Sequence, residues 1–348
     1  MSGRGRALRV AVLGAGTVGR EVVRALVERG GSLTSADGAP LELAAIAVRD
    51  LDRARAAGLP PALLTDGPAH LVADPAIDVI VELMGGDEPA HTLIAASLAA
   101  GKAVVTANKH VIAHHGPELE AIARRTGAAL RFEASVGGGI PVLGPLATDL
   151  AANRVTAIRG IVNGTTNAIL TAMAEEGRSY DAALAAAQAA GYAESDPTGD
   201  VEGHDAANKI VILARLGFGR WLDPAAVALA ADAGPGHGRP GITGVGMTDI
   251  EAARGCGAVV KLIAAASETD GRLVASVLAT AVPGESALAR TDGVLNRIEI
   301  DAEPVGTIAF SGPGAGGAAT SIAILGDLVA IARELGSTWA GLPPAERA

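Results

Sequence analysis

The sequence predicts an α/β protein. A doubly wound parallel sheet is expected over residues 1–135, a second α+β domain over 136–315, and a C-terminal helix within 316–348 that packs back on the first domain. Three observations predict it. Short apolar runs alternate with helical patterns over about the first 130 residues, the sequence form of a parallel sheet with crossover helices. The first apolar run leads straight into Gly-x-Gly-x-x-Gly. After Ser135 the alternation gives way to a glycine-rich hinge, an alanine-rich helical stretch and longer strands.

The elements follow in order. Residues 8–13 are short and apolar, a buried strand. Val18, Val22, Ala25, Leu26 and Arg29 then fall at helical spacing, and Gly30-Gly31 is expected to close that helix. A loop rich in Gly, Ser and Asp occupies 31–40. Strands are expected at 41–48, 78–83, 103–106 and 128–133, with helices at 88–100 and 110–125. Beyond the hinge at 136–141, which a helix is expected to follow, come a strand at 154–162, helices at 165–176 and 180–190, an acidic loop at 192–202 and a helix at 204–216. Residues 259–266, 273–282 and 297–300 read as strands of a second sheet, antiparallel in part, and 316–335 as an apolar helix.

The glycine run gains its meaning from its context. It follows a buried strand and opens an amphipathic helix, as a Rossmann-like dinucleotide site requires. Gly14 permits the tight turn, Gly16 lets the backbone approach a pyrophosphate, and Gly19 lets the helix pack close to the strand. Thr17 and Val18 begin the helix, whose free N–H groups and positive dipole end favour an anion. The second strand ends in Ala47-Val48-Arg49-Asp50. An acid there binds a ribose 2′-hydroxyl and an arginine accommodates a 2′-phosphate, so Arg49, with Arg53 and Arg55 nearby, favours NADP while Asp50 keeps NAD open.

Composition removes other classes. The 348 residues suit two domains. Apolar residues make up 49% and aromatics 2%, so the cores must be aliphatic. Acids outnumber bases, 38 to 28, with no basic block, which argues against a nucleic-acid partner. No apolar run approaches the roughly 20 residues of a membrane span, and residues 1–9 lack the apolar run of a signal peptide, so the expected location is cytoplasmic. The single cysteine, Cys256, lies between two glycines and is read as a small residue in a tight place.

Residues 191–209 carry Glu194, Asp196, Asp200, Glu202 and Asp205, then Lys209. On a helix Asp205 and Lys209 share a face, so the acid could hold and orient the ammonium. Clustered acids suit recognition of an amino group and a lysine among them suits proton transfer. A solvated acidic loop with one helical ion pair explains the same charges. The histidines His91, His110, His114, His115, His204 and His237 show no spacing that demands a metal and are read as structural or solvated.

The stretch Gly191-Tyr192-Ala193-Glu194-Ser195-Asp196-Pro197-Thr198, with Asp200, Gly203, Asp205-Ala206-Ala207 and Lys209, resembles the signature of the homoserine dehydrogenase family. The resemblance extends to Val104-Val105-Thr106-Ala107-Asn108-Lys109, to residues 133–141, to residues 160–167 and to Gly312-Pro313-Gly314-Ala315-Gly316, in the family's order over roughly residues 8–335. Ser195 departs from it, since proline is also common there. The resemblance implies a cytoplasmic oxidoreductase of amino-acid biosynthesis, toward threonine and methionine, that interconverts L-homoserine and L-aspartate 4-semialdehyde with NADP or NAD.

The resemblance also implies roles. Lys209 is the proton donor and acceptor, and Lys109 a second active-site lysine near nicotinamide and substrate. Glu194 and Asp205 bind substrate, with Asp200 beside them, and Gly191 and Gly312 lie near the cofactor. Glu133, Val136, Gly138 and Ile140 form a monovalent cation site, usually sodium, built largely from backbone carbonyls. Backbone N–H groups of the Asn163-Gly164-Thr165 turn could serve the substrate carboxylate. A second lysine nearby would lower the pKa of Lys209 and an Asp205 pair would raise it. Family members are typically homodimers through the second domain's sheet; the alternating pattern at 273–282 suits that burial and suits a core face equally.

Some family members carry a C-terminal regulatory domain. About a dozen residues follow the last helix here, so feedback through such a domain is not expected. Competing readings are a non-catalytic NAD(P)-binding sensor, a dehydrogenase of another small amino acid, and an aspartate-semialdehyde dehydrogenase. The last needs a thiol nucleophile, and Cys256 has no evident partner base.

Overall fold

A computed structural model describes residues 6–34, 38–269 and 271–347. Residues 1–5 of the expected leaderless N-terminus and 35–37 of the expected loop lie outside the described residues. In chain order the elements are β1 (Leu8–Leu13), α1 (Thr17–Leu33), β2 (Leu41–Ala47), α2 (Leu51–Ala56), β3 (Leu64–Thr65), α3 (Pro68–Ala73), β4 (Val79–Glu82), α4 (Ala90–Ala99), β5 (Ala103–Thr106), α5 (Lys109–Thr126), β6 (Leu130–Arg131) and α6 (Leu143–Ala147). There follow β7 (Arg154–Ile161), α7 (Gly164–Glu176), α8 (Tyr180–Ala189), α9 (Thr198–Val201), α10 (His204–Phe218), β8 (Arg220–Trp221), α11 (Met247–Gly255), β9 (Ala258–Thr269), β10 (Arg272–Pro283), β11 (Leu295–Glu303), β12 (Gly306–Pro313), α12 (Gly317–Ala332) and β13 (Glu346–Arg347).

The chain divides into two units, Met1–Ala147 with Ala315–Leu342, and Thr148–Gly314 with Pro343–Ala348. The first boundary therefore falls at Ala147 and not at the change of character after Ser135. The reason is local: the Glu133 carboxylate accepts from the backbone N–H groups of Val142, Leu143 and Gly144 at 2.7–2.8 Å, which ties α6 to the first unit. The C-terminal segment is likewise shared, and only Ala315–Leu342 belongs with the first unit.

The first unit holds a six-stranded sheet in the order β3-β2-β1-β4-β5-β6, parallel at every pairing. Its central strands read as continuous apolar runs because helices cover both faces. Val10, Val12, Ile46, Val79 and Val81 pack with Val22, Val23 and Leu26 of α1 and with Ile324 and Leu328 of α12 in one buried cluster. Each such side chain contributes about 1.5–3 kcal/mol by leaving water. Helix α1 runs on to Leu33 and is not closed by Gly30-Gly31. A Cβ on Gly30 would stand 2.6 Å from the Leu41 carbonyl oxygen, so this glycine serves close packing of α1 on β2. The strand expected at 128–133 shortens to β6, because the chain turns into a 3₁₀ turn at Glu133–Ser135.

The second unit is built on a five-stranded antiparallel sheet in the order β10-β9-β7-β11-β12. Helix α10, buried from Ala206 through Leu216, packs against β7, β9 and β10. Strand β12 and helix α11 were not expected: β12 contains Gly306, Gly312 and Pro313, and alternate residues along it remain exposed. Cys256 is exposed at the C-cap of α11, contrary to the tight place expected; Gly257 beside it supplies a positive-φ turn, φ +68°, rather than a close contact.

On one face of this sheet Asp301 accepts from Thr307 Oγ1 at 2.6 Å and pairs with Arg159 at 2.5 Å. The Thr307 hydrogen bond, followed by Arg159, holds its carboxyl below the ordinary range. A lowered folded-state value means stability that is present above the unfolded carboxylate pKa and lost as the pH falls. D301N should thus lower the urea midpoint at about pH 7 and differ much less from the parent at about pH 3. An undiminished difference at acid pH would remove the charged form as the cause.

Candidate active site

The glycine turn closes β1 onto α1. Gly14 has φ +97°, and a Cβ there would meet the Leu83 carbonyl oxygen at 2.6 Å. A Cβ on Gly19 would lie 2.2 Å from the Gly14 oxygen. Gly16 faces open space, with nothing within 4 Å of its Cβ position, and Thr17 and Val18 start α1 behind it. Beyond the turn lies a cleft of about 480 Å³ lined among others by Gly14, Gly16, Arg20, Arg49, Arg53 and Glu88. Asp50 is occupied structurally: its carboxylate accepts from the Arg53 N–H at 2.9 Å and caps α2.

Two loops at the carboxyl ends of β4 and β5 are joined by a buried acid. Glu82 is 0% exposed. It accepts from Met84 N–H at 2.7 Å, Gly85 N–H at 3.2 Å and Thr106 Oγ1 at 2.6 Å. Thr106 Oγ1 in turn accepts from Asn108 N–H, Asn108 Nδ2 donates to the Gly86 carbonyl at 2.8 Å, and Asn108 Oδ1 caps α5. This network sets Lys109 at the first position of α5, just past the end of β5, partly buried. Glu82 was not singled out from sequence, although Thr106 and Asn108 lie in a motif that was. The available signal was an acid closing an apolar strand, which is costly to bury unless its lone pairs are met.

The turn is buried from Ala134 through Gly138 and again at Ile140, while Glu133 and Gly139 are half-buried and Pro141 is exposed. Gly137 and Gly138 have φ +74° and +59°, a conformation that fits glycine. Among the described residues the backbone N–H groups of Ser135, Val136 and Ile140 donate to the carbonyls of Phe132, Glu133 and Gly137, and none donates to those of Val136, Gly138 or Ile140. Val136 and Ile140 are 0% and 3% exposed. Burial raises the Glu133 carboxyl above its ordinary range, against the pull of its three backbone donors. Its backbone N–H donates to Asp327 Oδ2 at 2.8 Å, and burial pushes that carboxyl up to about 7. The turn offers backbone carbonyl oxygens, the donor type that hard cations take, while the Glu133 carboxylate is engaged by the N–H groups at the start of α6.

In the second unit Lys209 lies on α10, 8% exposed. Its Nζ donates to the Val162 carbonyl at 2.7 Å and to Asp205 Oδ2 at 2.7 Å. Asn163, just after β7, donates through Nδ2 to Asp200 Oδ1 at 2.6 Å and to Asp205 Oδ2 at 2.8 Å. The Asn163 Oδ1 accepts from Thr166 N–H at 2.9 Å and caps α7. The fold thus joins three of the expected residues, Asp200, Asp205 and Lys209, through a fourth, Asn163, expected only for the backbone of its turn. Glu194 does not join that chain of bonds. It is exposed, and its carbonyl accepts from Gln188 Nε2 at 3.0 Å. Gly191 turns the chain after α8 with φ +76°, and Gly312 lies in β12 opposite Asn296.

Asn163→Ala removes a cap and leaves two carboxylates side by side without their shared donor. It should cost about 1–2 kcal/mol of stability, read as a lowered thermal midpoint. It should also cut kcat, and an unchanged kcat would make Asn163 a cap and nothing more.

A parallel sheet in the order 3-2-1-4-5-6 with a glycine-rich turn at its first crossover defines a dinucleotide-binding fold, and the chain's family matches make the class that of a nicotinamide-dependent oxidoreductase. Residues 14–133 match the family model described as homoserine dehydrogenase, NAD binding domain, and residues 141–329 the one described as homoserine dehydrogenase. The chain is 42% identical to homoserine dehydrogenase of Corynebacterium glutamicum, with 99% of this chain and 78% of that one covered. It is 39% identical to that of Bacillus subtilis, covering 95% and 74%. Among solved structures, a homoserine dehydrogenase from Thiobacillus denitrificans superposes with a TM-score of 0.90 at 35% identity, covering 99% and 80%. A hyperthermophilic archaeal homoserine dehydrogenase in complex with NADPH gives 0.76 at 27% identity, covering 93% and 97%. The chain belongs to the homoserine dehydrogenase family. Among the described residues no helix is long and apolar enough to cross a membrane.

Proposed function

We propose that the chain interconverts L-homoserine and L-aspartate 4-semialdehyde, preferentially with NADP, as a cytoplasmic homodimer. The observation that carries the reading is the bonded series Asp200, Asn163, Asp205 and Lys209 at the head of α10. When bound, the nicotinamide accepts or supplies the hydride. In oxidation Lys209 Nζ takes the proton of the substrate hydroxyl, and in reduction it returns that proton to the carbonyl oxygen. Asp205 and the Val162 carbonyl hold Nζ in place. Asp200 and Asp205 present negative charge to the substrate ammonium, with Glu194 as a further acid from the loop. The first turn of α7, after Asn163, offers backbone N–H groups to the substrate carboxylate. Lys109 is assigned as the second lysine of the reaction.

Gly14, Gly16, Thr17, Val18 and Gly19 are assigned to the pyrophosphate, and Gly191 and Gly312 to the cofactor. Arg49 is assigned to a 2′-phosphate. The engagement of Asp50 in capping α2 and the arginines along the cleft favour NADP, as does the NADPH complex of the archaeal relative. Arg49→Ala should raise KM for NADP by about tenfold, the loss of one charge-assisted contact, and leave KM for NAD nearly unchanged. An equal rise with both cofactors would argue against a 2′-phosphate contact.

Glu133, Val136, Gly138 and Ile140 are assigned to sodium, largely through backbone carbonyls, and the sheet of the second unit to the dimer interface, where light scattering would test the dimer itself. The deciding experiment is reduced-nicotinamide absorbance with L-homoserine, run with NADP and with NAD, in sodium and in a sodium-free buffer. Turnover establishes the reaction, and its absence from folded, cofactor-binding protein would overturn it.

A further inference from the structure

Four histidines and three acids gather on the surface of the first unit, and of these only Glu88 also lines the cleft described above. They come from the loop after β4, from α4 and from α5, which pack against each other. The imidazoles of His91 and His115 stack with ring centroids 3.8 Å apart and an interplanar angle of 11°. His91 Nδ1 lies 3.2 Å from Glu88 and its Nε2 3.2 Å from Glu118. His115 Nε2 lies 2.8 Å from Asp87. One donor atom each from His91, His115 and Glu118 lie within 4.8 Å of one another. His110 and His114 stand beside them, ring centroids 4.2 Å apart.

We propose that His91, His115 and Glu118 form a binding site for a divalent transition ion of the zinc class. Two imidazoles and a carboxylate are the donor set such ions take, with a fourth position left to water. At about 2.0–2.1 Å from a tetrahedral ion, donors stand about 3.4 Å apart, so the site closes when the two imidazoles tilt out of their stack and turn their ring-plane lone pairs toward a common point, a movement that this partly exposed surface allows. Stacked imidazoles repel when both are protonated and offer lone pairs when neutral, and an ion converts that repulsion into a shared bond.

The surroundings fit the same reading. A metal-bound histidine donates its other ring N–H to a carboxylate, which fixes ring and tautomer. Here Glu88 faces His91 Nδ1, leaving Nε2, beside Glu118, for the ion. Asp87 faces His115 Nε2, leaving Nδ1. The consequence is structural. The ion pins α4 to α5, and through the hydrogen bond between His91 and Glu88 it steadies the loop whose Glu88 and Pro89 line the dinucleotide cleft.

The test uses the full chain without an affinity tag. Equilibrium dialysis with zinc chloride should show one ion per chain, and zinc should raise the thermal midpoint. Cobalt should give the intense visible absorption of four-coordinate geometry. H91A, H115A and E118Q should each weaken zinc binding roughly tenfold or more and abolish the midpoint rise. Their midpoints without zinc should stay near the parent's, because Glu118 in particular is exposed. H204A, at a surface histidine–acid pair away from this cluster, should bind zinc like the parent. No zinc bound by the parent, or equal binding by E118Q and H115A, would overturn the proposal.

Discussion

Replacing Lys209 by alanine is expected to lower kcat by about 10²–10⁴, the range lost with a positioned proton-transfer group, while reduced-nicotinamide fluorescence still reports cofactor binding. The side chain is buried and gives its protons to Asp205 and the Val162 carbonyl. Its loss therefore also frees a partly buried carboxylate from its cation, and some stability should go with it. The two effects separate cleanly. Lys209→Met keeps the length and removes the charge, so a purely structural lysine would leave turnover in whichever variant stays folded. A cofactor-binding sensor predicts two folded variants with unchanged cofactor affinity and no activity to lose. A folded K209A enzyme with parental kcat would remove Lys209 from the reaction.

The glycine turn should give the second large effect, in two distinguishable forms. Gly19→Ala places a methyl 2.2 Å from the Gly14 carbonyl oxygen, a backbone atom that cannot swing aside. Helix α1 must move, at a cost of about 1–3 kcal/mol or more, and the thermal midpoint should fall together with cofactor affinity. Gly16→Ala meets nothing within 4 Å. Its midpoint should match the parent's, yet cofactor affinity should fall roughly tenfold or more, about 1.4 kcal/mol, because the methyl occupies the space through which the backbone approaches the pyrophosphate. Parental affinity in a folded G16A protein would place the pyrophosphate elsewhere.

Much of the first unit was legible before any coordinates. Apolar runs and helical periodicity located β1, β2, β4 and β5, and the glycine run located the cleft. The misreadings share a cause. Gly30 read as a helix end because glycine marks both ends and close contacts, and only the Leu41 carbonyl beside it tells which applies. Strand β12 escaped because glycine, proline and one-sided exposure erase the apolar pattern of an edge strand. Cys256 read as buried because flanking glycines suggest crowding, whereas they serve a surface turn.

The site divides in the same way. Asp205 and Lys209 lie four residues apart on one helix, and helical geometry alone pairs them. The bond from Asn163 to Asp205 spans 42 residues, that from Thr106 to Glu82 spans 24, and that from the Glu133 backbone to Asp327 spans 194. His91 and His115 likewise meet only because α4 packs on α5. By itself the sequence determined what depends on neighbours along the chain: strand and helix periodicity, the glycine turn, the i,i+4 ion pair, and the family those motifs resemble. Tertiary structure alone decided which buried polar groups satisfy one another, where the first unit ends and which histidines share a surface. Side-chain partners in space are set by how elements pack, and no local pattern encodes that packing.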